Sequence, residues 1–255
     1  MTAHFYRKDG GFYHPTPLAY SPWERDKQNG VALGGLATFL IETVSMPAPM
    51  ATARLAIDIL SAAAHAPTQG RTRIVREGKR IQMVEAELIV EGRPVARATA
   101  LRVRLADSPV VGSFPAYPAP EDVPEGSFMH PGAFGGSLET RPVRGGLREL
   151  GPGTLWARFG HEHVLGTPLS PLLRAAILAD FGGGVGGALG PEWSHANLDI
   201  ALHLSREPDG EWLLIDATTF SAGQGFGHSD ALLADRRGVF ARTHQTLFIA
   251  PRGRA

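Results

Sequence analysis

Asp180 is where residue type and spacing first ask for chemistry in this 255-residue chain. It ends a stretch in which Ser170 can cap a helix and Pro171 suits the first helical position. Leu169, Leu172, Leu173, Ala176 and Ile177 share one helical stripe. Asp180 lies eleven residues past Leu169 and, at roughly 100° per residue, comes back to within about 20° of it. The carboxylate therefore falls on the core side. An unpaired buried carboxylate costs several kcal/mol, so it needs a partner, such as an arginine or a neighbouring cap, or a task in accepting a proton.

Other chemistries find less support. His161 and His163 are spaced H-x-H, but no third ligand is spaced to join them, and no metal site is expected. The run Gly182-Gly183-Gly184-Val185-Gly186-Gly187 follows a helix and has no Gly-Lys-Ser/Thr, which argues against a phosphate-binding loop. No G-x-S-x-G element offers a serine nucleophile, and the absence of cysteine removes thiolate catalysis, thiolate zinc sites and disulfides. Lys plus Arg equals Asp plus Glu at 25 each, so charge gives no reason to expect nucleic acid or an acidic membrane surface. Basic runs such as Arg71–Arg80 read as solvated strand faces. No apolar run is long enough to span a bilayer, and a cysteine-free chain suits the cytoplasm.

The elements that would position Asp180 occur twice. The first series has a strand over 11–23 and a helix over Gly30–Ser45 with stripe Leu33, Leu36, Ala37, Leu40, Ile41 and Val44, Glu42 lying opposite. Strands then follow at 52–60, 71–90 (with a break at Glu77-Gly78) and 94–104, with a tight turn at Glu91-Gly92-Arg93. A Pro- and Gly-rich arm covers 105–136. The second series has strands at 137–143 and 154–160, the helix from Pro171 to about Phe181, a glycine-rich turn, and strands at 196–205 and 211–221. A hairpin over 228–250, turning at Arg236-Arg237-Gly238, closes it.

Setting residue n against n+145 pairs Ala56 with Ala201, Gly78 with Gly223, Leu88 with Leu233 and Arg97 with Arg242. In the helices the offset is 136, the difference being the extra segment Gly182–Gly190. At these offsets Asp180 faces Val44, Asn197 faces Thr52 and Gln245 faces Ala100. Gln245 interrupts the period-2 row Val239, Ala241, Thr243, Leu247, Ile249, and Asn197 opens a strand whose Leu198, Ile200, Leu202 and Leu204 alternate to one face. Each has a structural explanation alone. Together they make a polar set where the other copy has Val and Ala at two of the three positions.

The chain also resembles the acyl-CoA thioesterase II family from about Gly11 to Pro251. In the first half the resemblance rests on Asn29-Gly30, Glu42-Thr43-Val44, Val75-Arg76-Glu77-Gly78-Lys79 and Gly92-Arg93-Pro94-Val95. In the second it rests on Leu138-Glu139-Thr140-Arg141-Pro142-Val143, Leu178-Ala179-Asp180-Phe181, Ala196-Asn197-Leu198-Asp199, Glu211-Trp212-Leu213-Leu214, Ser221-Ala222-Gly223 and Arg242-Thr243-His244-Gln245. It implies an α+β double hotdog, two fused units each wrapping an antiparallel sheet around a long helix. Residues 1–105 would form an N-terminal hotdog with a degenerate site, 106–136 the arm, and 137–255 the C-terminal hotdog carrying the catalytic residues.

The resemblance further implies that Asp180, Asn197 and Gln245 hold the hydrolytic water, with Gly30, Gly78, Ser221 and Gly223 at substrate-binding positions. Asn197 stands where the best-known members have threonine, and Asn29-Gly30-Val31 replaces a Gly-Gly or His-Gly-Gly element. The expected substrate is an acyl thioester of CoA or acyl carrier protein, cleaved without a cofactor by a cytoplasmic homo-oligomer of fatty acid metabolism. The alternatives are a non-catalytic acyl- or small-ligand-binding protein and another hotdog activity such as enoyl-thioester hydration. The hydratase would want a histidine a few residues after the aspartate, where this chain has glycines.

Overall fold

Alternating burial along the strands, with two helices covered by the resulting sheet, builds the molecule. A computed structural model describes residues 3–22, 24–127, 136–145, 149–187 and 189–253. Trp23 of the expected first strand, residues 128–135 of the arm and Ala188 of the glycine-rich segment lie outside them. The first half contains β1 (His4–Asp9), β2 (Phe12–Pro15), α1 (Gly30–Glu42), β3 (Met50–Ile59), β4 (Thr68–Glu77), β5 (Ile81–Val90) and β6 (Arg93–Arg104). The second contains β7 (Leu138–Arg144), β8 (Gly153–Phe159), β9 (Glu162–Val164), α2 (Pro171–Ala179), α3 (Gly182–Val185), β10 (Trp193–Asn197), β11 (Asp199–Leu204), β12 (Leu213–Ser221), β13 (Phe226–Asp235) and β14 (Gly238–Pro251). This is the α+β double hotdog.

The strands join in one sheet ordered β7-β8-β12-β13-β14-β11-β3-β6-β5-β4-β2-β1-β9, with β10 pairing β14 off that path. The two halves meet where β3 pairs β11, and the register there is centred on Ala56 opposite Ala201, flanked by Ile57–Ile200 and Leu55–Leu202. An offset of 145 carries this ladder onto itself, as a two-fold relation between the halves requires. The same offset maps Val84–Ala100 onto Ser229–Gln245, and the irregularity at Leu88/Ile89 onto that at Leu233/Ala234. The repeat holds at the level of individual pairs.

Leu33, Leu36, Ala37, Leu40 and Ile41 of α1 are buried, and so are Leu172, Leu173, Ala176 and Ile177 of α2. The burial extends beyond the expected stripe in α1, whose Val31, Ala32 and Thr38 are also covered. The helices pack antiparallel. At one end the Ser170 hydroxyl, itself the α2 cap, donates to Glu42 Oε2 at 2.7 Å. Glu42 thus faces its neighbouring helix, not open solvent, and α1 ends there, short of the expected Ser45.

Three other expectations are corrected. The segment 11–23 is not one strand: Gly10-Gly11 turns β1 into β2, and Thr16 then caps a 3-10 turn at Pro17–Ala19. Prolines at 15 and 17 supply no ladder N–H. The segment 196–205 is two strands, because pairing to β14 slips by one residue between Asn197–Leu247 and Ala201–His244. Such a bulge reverses the alternation. Leu198 is turned out (43% exposed), whereas Ile200 and Leu202 are buried. Thirdly, the glycine-rich turn is helical over Gly182–Val185, and α2 stops at Ala179 with Asp180 as its cap.

Candidate active site

The bulge at Leu198 is what brings Asn197 inward, and it delivers the side chain to the end of α2. Asn197 Nδ2 donates to the Asp180 backbone carbonyl at 2.8 Å and to Asp180 Oδ1 at 3.0 Å. One amide thereby closes the helix and holds its carboxylate. From the other side comes the start of α1. A Cβ placed on Gly30 would lie 3.0 Å from Asp180 Oδ1, so the absence of a side chain permits the approach. Asn29 caps α1 by accepting from the Ala32 N–H at 2.7 Å and anchors it by donating to Leu18 and Tyr20 carbonyls, both at 3.0 Å. The first-turn amides of Gly30 and Val31 have no acceptor within the helix, and its positive dipole end faces the carboxylate. Burial pushes the Asp180 carboxyl up to about 6, against the opposing donation from Asn197.

Gln245 reaches the site from below. Its Oε1 accepts from the Gly183 N–H at 2.9 Å, in the first turn of α3. It makes no direct bond to Asp180; the two are linked through α3. A Cβ on Gly182 would meet Gln245 Oε1 at 2.5 Å, so α3 lies on the sheet at a distance only glycine permits. Gln245 Nε2, with its two N–H groups, and Asn197 Oδ1 are buried without a protein partner, which leaves donors on one amide and an acceptor on the other.

The structure thus brings together Asp180, Asn197, Gln245 and Gly30. The other expected substrate positions lie at hairpin turns: Gly78 donates to the Ile81 carbonyl at 2.9 Å, and Ser221 Oγ donates to Phe226 O at 3.1 Å while accepting from Gly223 N–H at 3.3 Å. The H-x-H pair is packed in the core, His161 against Phe5 and Phe159, and His163 stacked on Phe5 and hydrogen-bonded to Ala32 O at 3.0 Å. Among the described residues no group of three His, Asp or Glu could hold a metal ion.

Two residues near the site escaped the sequence reading. Ser229 pairs directly with Gln245 across β13 and β14 and is buried. Its position opposite Val84 in the repeat was the available signal. His195, two residues before Asn197 on the same strand face, lies over Gly183, and burial lowers its pKa.

The counterpart end of the molecule is built differently. There the buried Arg102 guanidinium donates to the Ile41 and Val44 carbonyls at 2.7 and 2.8 Å and to Gln82 Oε1 at 2.8 Å. Thr52 occupies the inward bulge position matching Asn197, paired with Arg102. Pro171 is the first residue of α2, as Gly30 is of α1, and it carries no N–H.

Fold and site define a double-hotdog protein whose two ends differ: Asp180 held by Asn197 and facing Gly30 at one, Glu42 bonded by Ser170 and near Arg102 at the other. Residues 19–103 match the acyl-CoA thioesterase N-terminal domain and residues 112–249 the acyl-CoA thioesterase C-terminal domain. The chain belongs to the acyl-CoA thioesterase family. Among solved structures it is similar to a conserved hot dog fold protein from Alicyclobacillus acidocaldarius, with TM-score 0.77, 18% identity and 96% of each chain covered. It is also similar to an acyl-CoA thioesterase II from Mycobacterium marinum, with TM-score 0.69 and 18% identity over 98% of this chain and 95% of that one. No curated protein matches the sequence.

Proposed function

We propose that the protein hydrolyses an acyl-CoA or acyl carrier protein thioester at Asp180, with Asn197 and Gln245 holding the attacking water. The observation that carries this reading is the Asp180 carboxyl: buried, bonded by Asn197, facing the start of α1 and shifted to about 6. A base with a pKa just below neutral is ionised at neutral pH yet basic enough to take a proton. In the proposed reaction the water oxygen attacks the thioester carbonyl carbon as its proton passes to Asp180. The carbonyl oxygen gains charge and is stabilised by first-turn amides of α1, the helix whose Gly30 approaches the Asp180 carboxylate. The C–S bond then breaks, and the thiolate takes the proton from Asp180. The products are a carboxylic acid and a free thiol.

The asymmetry between the two ends supports one such site per chain. Pro171 offers no amide and Arg102 fills the space near Thr52. The test is release of free thiol from acyl-CoAs of graded chain length by the wild-type protein and by Asp180→Asn. Turnover by the wild type and its loss, by about 10²-fold or more, in a folded Asp180→Asn is expected. Undiminished turnover in that variant rejects the assignment, and acyl-CoA binding without any thiol release identifies a binding protein instead.

A further inference from the structure

Ser229 presents an unexplained cost. Its hydroxyl is buried, as are the hydroxyl of Thr219 on β12 and the amide of Gln245 on β14, its neighbours in the same cross-strand row. Thr219 Oγ1, Ser229 Oγ and Gln245 Nε2 all lack a protein partner. Each such group costs about 1–3 kcal/mol if left unsatisfied. The fold does not demand them, since the repeat places Ile74, Val84 and Ala100 at the same sites in the first half. The row lies directly beneath α3: Cβ atoms on Gly182 and Gly186 would meet Ser229 Oγ at 3.1 Å and Thr219 Oγ1 at 2.7 Å. The glycines therefore roof over a polar strip that leads to Gln245.

We propose that Ser229 is a positioning residue for the hydrolytic site, holding a bound water that accepts from Gln245 Nε2 and donates to Ser229 Oγ. Thr219 continues the same file of water toward the β12 side. Small buried spaces lined by several polar groups ordinarily hold water with two to four partners. The Gln245 amide is then fixed at both ends: its oxygen by the Gly183 N–H and one of its N–H groups by this water. The remaining N–H is left to the water that attacks the thioester. Substrate does not reach Ser229 in this arrangement, because α3 lies between them. The inference rests on the thioesterase reading for its kinetic consequence, but not for the water itself.

Two measurements test it. In the first, Ser229→Ala and Ser229→Thr are assayed beside the wild type and Asp180→Asn. The expected result is a kcat about five- to tenfold lower in Ser229→Ala, the worth of one hydrogen bond, with KM unchanged and Ser229→Thr near wild type. A wild-type kcat in Ser229→Ala overturns the proposal, as does an equal loss in both variants. If the wild type releases no thiol, the thioesterase reading fails, and the second measurement still decides on the water. A crystal structure at a resolution that shows ordered water is expected to place one within hydrogen-bonding distance of both Ser229 Oγ and Gln245 Nε2. An empty space there overturns the proposal.

Discussion

Asp180 shows how one side chain can couple activity to stability. Its folded-state pKa of about 6 lies above the ordinary carboxylate value of 3.8. Between those values the folded chain holds a proton at Asp180 that the unfolded chain has released, so this group's contribution to stability falls as pH rises from about 4 to about 6. At about 1.4 kcal/mol per pKa unit the penalty above pH 6 reaches roughly 3 kcal/mol. Asp180→Asn removes the charge and keeps the shape. Thermal unfolding at pH 7.5 should therefore show the variant more stable than the wild type, with the margin disappearing below pH 4; a constant margin across pH rejects the buried-carboxylate account. For the wild type, kcat/KM should rise through a single step near pH 6, and a profile flat from pH 5 to 8 contradicts a base at Asp180. The polarity of Asp180, Asn197 and Gln245 was legible in the sequence because each could be set against its counterpart. Their bonding was not. Nothing in the residue types indicates that Gln245 is fastened to Gly183, or that Asn197 binds both ends of Asp180.

The element that most changed on folding is α3. A run of glycines reads as a turn, since glycine disfavours helix by about 1 kcal/mol per residue relative to alanine. Here close approach outweighs propensity: the helix lies against Gln245, Ser229 and Thr219, where a side chain would collide. Gly182→Ala tests this directly. Its Cβ would have to displace Gln245 Oε1, now 2.5 Å from that position. We expect thiol release to fall at least tenfold (about 1.4 kcal/mol) while far-ultraviolet circular dichroism stays unchanged, and full activity would show that α3 does not set Gln245. Strand bulges were equally hidden from the sequence. The alternation Leu198, Ile200, Leu202 fits a regular strand, and only the slip in pairing to β14 shows that Leu198 turns outward and Asn197 inward. By contrast, the break at Glu77-Gly78 and the turn at Glu91-Gly92 were readable from their glycines: Gly92 takes the left-handed φ of 77° that suits few residues besides glycine, asparagine and aspartate, whereas the φ of 51° at Glu91 has no signal in its residue type.

At the scale of the molecule, β9 from the second half pairs in parallel with β1 at the far edge of the first. His163 on β9 hydrogen-bonds the Ala32 carbonyl, so one imidazole fastens the second half to the helix that faces Asp180. Burial lowers the pKa of His163 to about 3 and of His161 to about 4. The unfolded chain, with imidazoles titrating near 6.5, binds more protons throughout that window, so stability is lost as pH falls from 6.5 towards 4. Two imidazoles shifted over this window outweigh the single opposing carboxyl of Asp180, so urea midpoints should fall with pH in the wild type and fall less steeply in His163→Gln; parallel curves would sink the idea. The repeat itself was legible only faintly, as scattered matches at one offset. The seam centred on Ala56 and Ala201 makes it concrete. The shared bulge at Thr52 and Asn197 then carries a historical meaning. Both ends inherited an inward-facing polar position, as two interchangeable ancestors would. Pro171 and Arg102 record the divergence at one end; Gly30 and Leu247 record it at the other. Through those few substitutions an object with two equivalent poles acquired a front and a back.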